Sequence, residues 1–383
     1  MRKCPICECE NRKVIFDINF ANDKKVLHGL PEKNHISICE NCGFAYACNE
    51  ANQANYDNYY KNNNNYVEDR QLKLIDNAEN IFVPMMARYI NANSHIIDIG
   101  YGDGSLLKSL KNRGFNYLYG LDTGNDSADD LRKDGIECYD QSIFDEIDDS
   151  LEKAFDIVIS TCVGEHVFDL QGFIENQLKI LKDDGIIIME VPAVEGFNKV
   201  YFPLPNYFNL EHINYFSLQG LDNLFIVNGM ERINSAEETI AINTVGEYML
   251  CGVYRKGNAV NITKDDISEK IISEYYTNVK KQKNNNEGKI ASFIEKNGDF
   301  VLWGCGSYAM QMLVEHEDWK NKIAYAIDNN SKIQKNGFCG FDVFSPQKLK
   351  EKPFPVLICS MNNSADIIKE IEKMNIDISY VSI

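Results

Sequence analysis

His95-Ile-Ile-Asp-Ile-Gly-Tyr-Gly-Asp-Gly-Ser-Leu-Leu107 reads as strand, turn and helix in quick succession. The apolar run Ile96 to Ile99 has the character of a strand buried on both faces, and Leu106 to Leu110 starts a helical pattern. Between them Gly100, Gly102 and Gly104 free the backbone to approach a ligand, and the helix that follows offers unpaired N–H groups at its start. The spacing is G-x-G-x-G, different from the G-x-G-x-x-G of dinucleotide sites. Asp98 stands two residues before the first glycine. Asp122 ends the next apolar run, Tyr117-Leu-Tyr-Gly-Leu-Asp122, where an acid can accept hydrogen bonds from two ribose hydroxyls.

Strands and helices alternate outward from this elbow. Ile96–Ile99, Tyr117–Asp122, Asp156–Ser160 and Gly185–Val191 read as strands, with a helix over Leu170 to Leu181. Two further runs, Glu231–Thr239 and Tyr248–Tyr254, lie close enough in sequence for an antiparallel edge pair. An amphipathic helix is expected from 66 to 91, with Leu72, Leu74, Ile75, Ile81, Phe82 and Met85 on its apolar face. A charged helical segment, Lys264 to Lys296, leads to a second strand–glycine–helix unit. It holds Phe300 to Trp303, Gly304 and Gly306, then the strand Ile323–Ile327 and Asp328. Two readings of that unit stand side by side: a packing domain, or a crevice whose mouth includes Gly306, Ser307 and Asp328. The expected division is 1–65, 66–262 and 263–383.

The chain has 383 residues and a formal net charge of −18, with 44% hydrophobic residues. That charge argues against nucleic acid as a partner, which needs a basic surface. No run has membrane-spanning length and no leader-like segment opens the chain, so a cytoplasmic protein is expected. Twelve cysteines in this setting point to a reducing compartment. Cys4-Pro-Ile-Cys7 and Cys39-Glu-Asn-Cys42-Gly43 form two C-x-x-C pairs, the spacing of two knuckles that close on one structural Zn2+. Cys9, His28, His35 and Cys48 stand near enough to replace one ligand, whereas Cys138, Cys162, Cys251, Cys305, Cys339 and Cys359 fall in apolar runs and read as core, as does Trp303.

The glycine elbow with Asp98 and Asp122 resembles the class I methyltransferase fold that binds S-adenosylmethionine. The order of zinc module, methyltransferase core and second Rossmann-like α/β domain is similar to the C-methyltransferases of nucleotide-linked deoxysugars. Three local matches carry that resemblance: the paired cysteines, Asp98 to Gly104, and Leu210-Glu211-His212-Ile-Asn-Tyr-Phe-Ser217, close to the family's E-H-x-x-x-F-S. A histidine after the fourth core strand is matched by His166 in Val163-Gly-Glu-His-Val-Phe-Asp169. The resemblance implies S-adenosylmethionine held by Asp98, Gly100, Gly102, Gly104 and Asp122, with Asp140 towards the adenine amino group. It implies a nucleotide-linked sugar as substrate, His212 as base, Glu211 orienting it, and His166 donating to the enolate oxygen or the sugar. The family's first substrate tyrosine falls on Asn209 here. Its second falls among Tyr59, Tyr60 and Tyr66, with Tyr60 and Tyr66 taken as substrate contacts.

The implied chemistry is deprotonation next to a carbonyl, followed by attack of carbon on a sulfonium methyl. The change at Asn209 keeps open O- or N-methylation of a sugar or surface-glycan precursor. A non-catalytic, zinc-stabilised binding protein is the third reading. The sequence leaves oligomeric state open.

Overall fold

The computed structural model describes residues 1–20, 27–62, 86, 89–123, 127–199, 206–242, 245–258, 261–360 and 363–383. The expected helix over 66–91 therefore lies almost wholly outside the described residues. The chain divides into two compact units. One comprises Met1–Ile18, His28–Tyr201 and Leu210–Ser273; the other comprises Asn19–Leu27, Phe202–Asn209 and Glu274–Ile383.

Strands β1 (Arg12–Asn19), β2 (Lys33–Cys39) and β3 (Ala45–Cys48) open the chain, followed by helix α1 (Gln53–Asn62). The elbow then runs through β4 (His95–Ile99) into α2 (Ser105–Asn112). Next come β5 (Tyr117–Asp122), α3 (Ala128–Lys133), β6 (Glu137–Asp140), β7 (Phe155–Thr161), α4 (Leu170–Ile180) and β8 (Leu181–Pro192). The unit closes with β9 (Asn214–Tyr215), α5 (Leu218–Val227), β10 (Met230–Ile242) and β11 (Val245–Lys256).

The large sheet has the order β10-β11-β8-β7-β4-β5-β6. Strands β4 to β8 pair in parallel, and β11 and β10 complete the sheet antiparallel, the edge pair the sequence foretells. Parallel strands covered on both faces need apolar side chains in both directions. Along β7, Ile157 and Ile159 pack with Leu107 and Leu110 of α2, whereas Val158 packs with Leu170, Phe173 and Ile174 of α4. Each of these side chains is fully buried, which stabilises the fold by about 1.5–3 kcal/mol per large aliphatic group. From β4 the chain runs outward through β5 to β6, then returns to place β7 on the other side of β4, so the strand order reverses there. A crevice therefore opens at the carboxyl end of β4.

A smaller sheet, β1-β2-β3-β9, joins the N-terminal strands to β9, which lies two residues beyond His212. Ala45 pairs with Tyr215 and Tyr46 with Asn214. The sequence reading finds β1 and β2, and a third core strand ahead of Asp140 that is β6, but misses β3 and β9, both of four residues or fewer.

In the second unit, β12 (Phe300–Trp303), β13 (Ile323–Ile327), β14 (Val343–Phe344), β15 (Val356–Ile358) and β16 (Tyr380–Ser382) form a parallel sheet of order β14-β13-β12-β15-β16. Trp303 is buried in its core, as expected. Asp328 spends both carboxylate oxygens on backbone N–H groups, those of Cys305 and Asn330, each at 2.8 Å. A Cβ at Gly304 would lie 2.9 Å from the Ser360 nitrogen, so this glycine turn packs against its own sheet.

Candidate active site

The loop after β4 explains its glycines. Gly100, Gly102 and Gly104 have φ of +74°, +54° and +74°, where an L side chain is strained by roughly 1–2 kcal/mol. A Cβ at Gly104 would meet Leu131 Cδ1 at 2.6 Å, and one at Gly100 would meet Val163 Cγ2 at 2.7 Å. At Gly102 no atom of the described residues lies within 4 Å of such a Cβ. The Gly102 N–H donates to Asp122 Oδ2 at 3.0 Å, which ties the loop to the end of β5. Tyr101 is buried against Gly120, where a Cβ would approach Tyr101 Cδ1 to 2.5 Å.

Asp98 is 1% exposed, and its Oδ1 has no hydrogen-bond partner among the described residues. Burial, together with the charges of Asp122 and Asp103, pushes its pKa well above the usual carboxylate range. A buried carboxyl flanked by two more acids is a local environment that a cationic ligand relieves. Asp140 lies beside Asp122 on the neighbouring strand, and its Oδ2 accepts from Arg132 Nη2 at 2.8 Å.

Two turns build the opposite wall. One, Gly164–His166, follows β7; the other holds Glu211 and His212 just before β9. Close packing of Val163 on Gly100 sets the first turn against the glycine loop. The turns are laced together. Ile213 N–H donates to Glu165 O at 2.8 Å, and the Asn214 amide donates to Gly164 O and Val167 O at 2.8 and 2.6 Å. His166 Nδ1 lies 3.2 Å from Glu211 O. The His166 and His212 rings meet edge to face with centroids 4.8 Å apart.

Helix α1 adds two tyrosines. Tyr59 Oη donates to Glu211 Oε1 at 2.7 Å, and the Tyr60 ring packs edge-on to His166 with centroids 5.7 Å apart. Arg2 secures both turns from behind. Its buried guanidinium donates to Ile213 O at 3.3 Å, to Val167 O at 3.2 Å and to Phe168 O, and its Cζ lies 4.5 Å from the Phe168 ring centroid. Burial lowers the Arg2 pKa to about 10.

The four organised cysteines converge as their spacing implies. Cys4 Sγ lies 3.5 Å from Cys42 Sγ, Cys7 Sγ lies 3.5 Å from Cys39 Sγ, and all four sulfurs fall within 4.8 Å of one another. A tetrahedral zinc with bonds of about 2.3 Å sets its sulfurs about 3.8 Å apart, so the cluster fits that ion. Gly43 (φ +78°) lets the second knuckle press on Asp265, whose N–H donates to Cys42 O at 2.9 Å.

Residues 66–233 match the family described as a methyltransferase domain. This segment is an S-adenosylmethionine-dependent methyltransferase domain. The sheet order and the glycine elbow of the methyltransferase domain are those of the class I fold. Over 110 residues the chain is 35% identical to the ubiquinone biosynthesis O-methyltransferase of Rickettsia conorii (strain Malish 7), a match covering 28% of this chain and 37% of that protein. The match thus spans little more than a third of that relative's length. Among solved structures, the chain is similar to the 1,6-didemethyltoxoflavin-N1-methyltransferase of Burkholderia thailandensis, bound to 1,6-didemethyltoxoflavin and S-adenosylhomocysteine. That likeness has 14% identity and a TM-score of 0.43, over 58% of this chain and 99% of that one. A methyltransferase of Methanosarcina mazei is 13% identical over 45% of this chain and 97% of its own, with a TM-score of 0.38.

Within the methyltransferase domain and its N-terminal neighbour, the structure gathers Tyr60, His166, Glu211 and His212 on one wall. Asp98, Gly100, Gly102, Gly104 and Asp122 stand around the glycine loop. Asn209 belongs to the second unit, and Tyr66 lies outside the described residues. Sequence reasoning did not single out Arg2, Glu165 or Asn214. Arg2 carries no local signal beyond standing two residues before a knuckle cysteine, whereas Asn214 lies inside the E-H-x-x-x-F-S segment and Glu165 directly precedes His166. No helix among the described residues is long and apolar enough to cross a membrane.

Proposed function

We propose that this chain is a C-methyltransferase acting on a nucleotide-activated keto sugar. The observation that carries the reading is the wall formed by Tyr59, Glu211, His166 and His212. It sets one hydrogen-bonded carboxylate and two imidazoles beside the glycine loop. Asp98, Gly100, Gly102, Gly104, Asp122 and Asp140 are the residues to hold the donor. Bound there, S-adenosylmethionine supplies an electrophilic methyl on a sulfonium, with the thioether as leaving group. The acids around the loop suit a ligand of positive charge.

His212 removes the proton from the carbon next to the carbonyl, and the C–H electron pair moves towards the carbonyl oxygen to give an enolate. Glu211, fixed by the Tyr59 phenol, orients His212 or a sugar hydroxyl. A carbonyl oxygen only accepts, so the His166 Nδ1 near Glu211 O carries a proton. To meet the growing oxyanion, His166 uses Nε2–H as an imidazolium. Glu165 Oε1 lies 3.7 Å from that nitrogen. Tyr60, whose ring packs against His166, is a proposed sugar contact. The Cys4, Cys7, Cys39 and Cys42 cluster is proposed to hold structural Zn2+ and has no open position for chemistry.

The test uses nucleoside-diphosphate keto sugars deuterated next to the carbonyl, incubated with methyl-labelled donor. The expected product carries the methyl on carbon and has lost the deuteron. Methyl on oxygen with the deuteron retained would contradict the reading. A second reading, O-methylation, draws on the name of the Rickettsia relative. It needs only a base beside a hydroxyl, which His212 also supplies.

A further inference from the structure

We infer that Glu165, His166 and His212 form a three-ligand site for a divalent transition-metal cation, and that filling it silences the base. One ligand atom from each of the three lies within 4.8 Å of the other two. With the Nδ1 proton of His166 directed at Glu211 O, the Nε2 of a neutral ring is a lone pair. It faces Glu165 Oε1 at 3.7 Å, and Glu165 is only 2% exposed. A divalent cation seated between these two acceptors would be ligated by both. The donor of Nδ1–H to a backbone carbonyl is also the arrangement that fixes the tautomer of metal-ligating histidines.

The backbone supports the same geometry. Glu165 and His166 share one turn, His212 sits on the other, and three hydrogen bonds from Ile213 and Asn214 hold the turns together. Two imidazoles and one carboxylate select zinc, cobalt, nickel or iron(II) over magnesium or calcium. Three protein ligands leave coordination positions open to the pocket. This is a different chemistry from the four-thiolate cluster.

The consequence rests on the function proposed above, in which His212 is the base and His166 meets the oxyanion as imidazolium. A cation takes the lone pair of His212 and the place of the second proton on His166. The metal-loaded protein therefore binds the donor but does not deprotonate the acceptor.

The experiment uses the full-length protein with one equivalent of zinc already in the cysteine cluster. It is titrated with cobalt(II), followed by visible absorption and by calorimetry. A second equivalent is expected to bind with the spectrum of a nitrogen–oxygen site. Glu165→Gln and His212→Gln should each weaken its uptake roughly tenfold or more, with far-UV circular dichroism unchanged. Methyl transfer should fall as the second equivalent binds and return on dialysis. No second equivalent, or equal uptake by both variants, would overturn the site. Uptake with undiminished turnover would overturn its silencing of the base. Metal uptake is read without methyl transfer, so an inactive acceptor assay and an absent metal site are distinguishable results.

Discussion

The phenol of Tyr59 donates to the carboxylate of Glu211 across 2.7 Å, joining residues 152 positions apart. Tyr59 sits on the helix that follows the N-terminal strands, whereas Glu211 precedes the strand that completes their sheet. The N-terminal segment thus contributes to the wall of the candidate active site. Removing the phenol with Tyr59→Phe leaves packing in place and frees the carboxylate to turn. Turnover should fall roughly tenfold or more, with donor affinity unchanged, because positioning errors act on the reacting geometry. Steady-state kinetics beside calorimetry with S-adenosylhomocysteine measures both.

Arg2 reaches both histidine-bearing turns through three carbonyl oxygens. Arg2→Ala removes this charged donor; Val167 O keeps the Asn214 amide and Ile213 O keeps the Ala47 N–H, so the cost falls mainly on Phe168 O, at about 1–3 kcal/mol. Thermal unfolding should shift down by several degrees, and turnover at a temperature where the variant is folded should still be depressed. Arg2→Lys, which cannot fan out to three carbonyls, should recover only part of both.

Asp98 carries the clearest pH signature. Folding raises its pKa, so the native state keeps the proton longer than the unfolded chain does. Where both states are protonated the residue costs nothing, and the cost grows as pH climbs from the ordinary carboxylate range towards the folded value. Asp98→Asn should therefore melt close to the parent at about pH 4 and above it at about pH 8, in the absence of donor. The same variant should bind S-adenosylmethionine more weakly, which scanning calorimetry with and without donor would register as a smaller stabilisation.

Much of this site is local, and the local part is legible. The glycine elbow, Asp122 at the next strand end and the paired cysteines each occupy a few consecutive residues, and their turn chemistry is written in those residues. Strand limits also follow from runs such as Tyr117–Asp122, which are apolar on both faces. The rest depends on distant pairings. Arg2 contacts Ile213 across 211 positions, and nothing near Arg2 in sequence encodes that partner. Strand β9 is two residues long, too short for any periodicity, and its register comes from β3. Glu165 matters because of what faces it, which the order of residues along the chain does not display.

The glycines offer a graded test. Gly104→Ala adds both a left-handed strain and a 2.6 Å approach to Leu131, whereas Gly102→Ala adds the strain alone. Gly104→Ala should lose more stability than Gly102→Ala, for which about 1–2 kcal/mol is expected. Gly102→Ala should instead lose donor affinity disproportionately, since its new methyl would stand on the loop proposed to hold the donor. Denaturant unfolding together with donor titration separates the two effects.

In the cysteine cluster, Cys39→Ser should release zinc and lower the unfolding temperature, as measured by a chromogenic chelator during a thermal scan. Because β9 pairs with the same small sheet, the loss should reach His212 and reduce turnover as well.

The most direct test is proton exchange without methyl transfer. A nucleotide keto sugar is held in deuterium oxide with the protein and S-adenosylhomocysteine, and the proton next to the carbonyl is followed by nuclear magnetic resonance. The account predicts enzyme-dependent exchange that falls about a hundredfold or more in His212→Ala, as expected when a positioned base is lost. Exchange that persists unchanged in His212→Ala, or no exchange in a protein that still methylates the sugar, would contradict it.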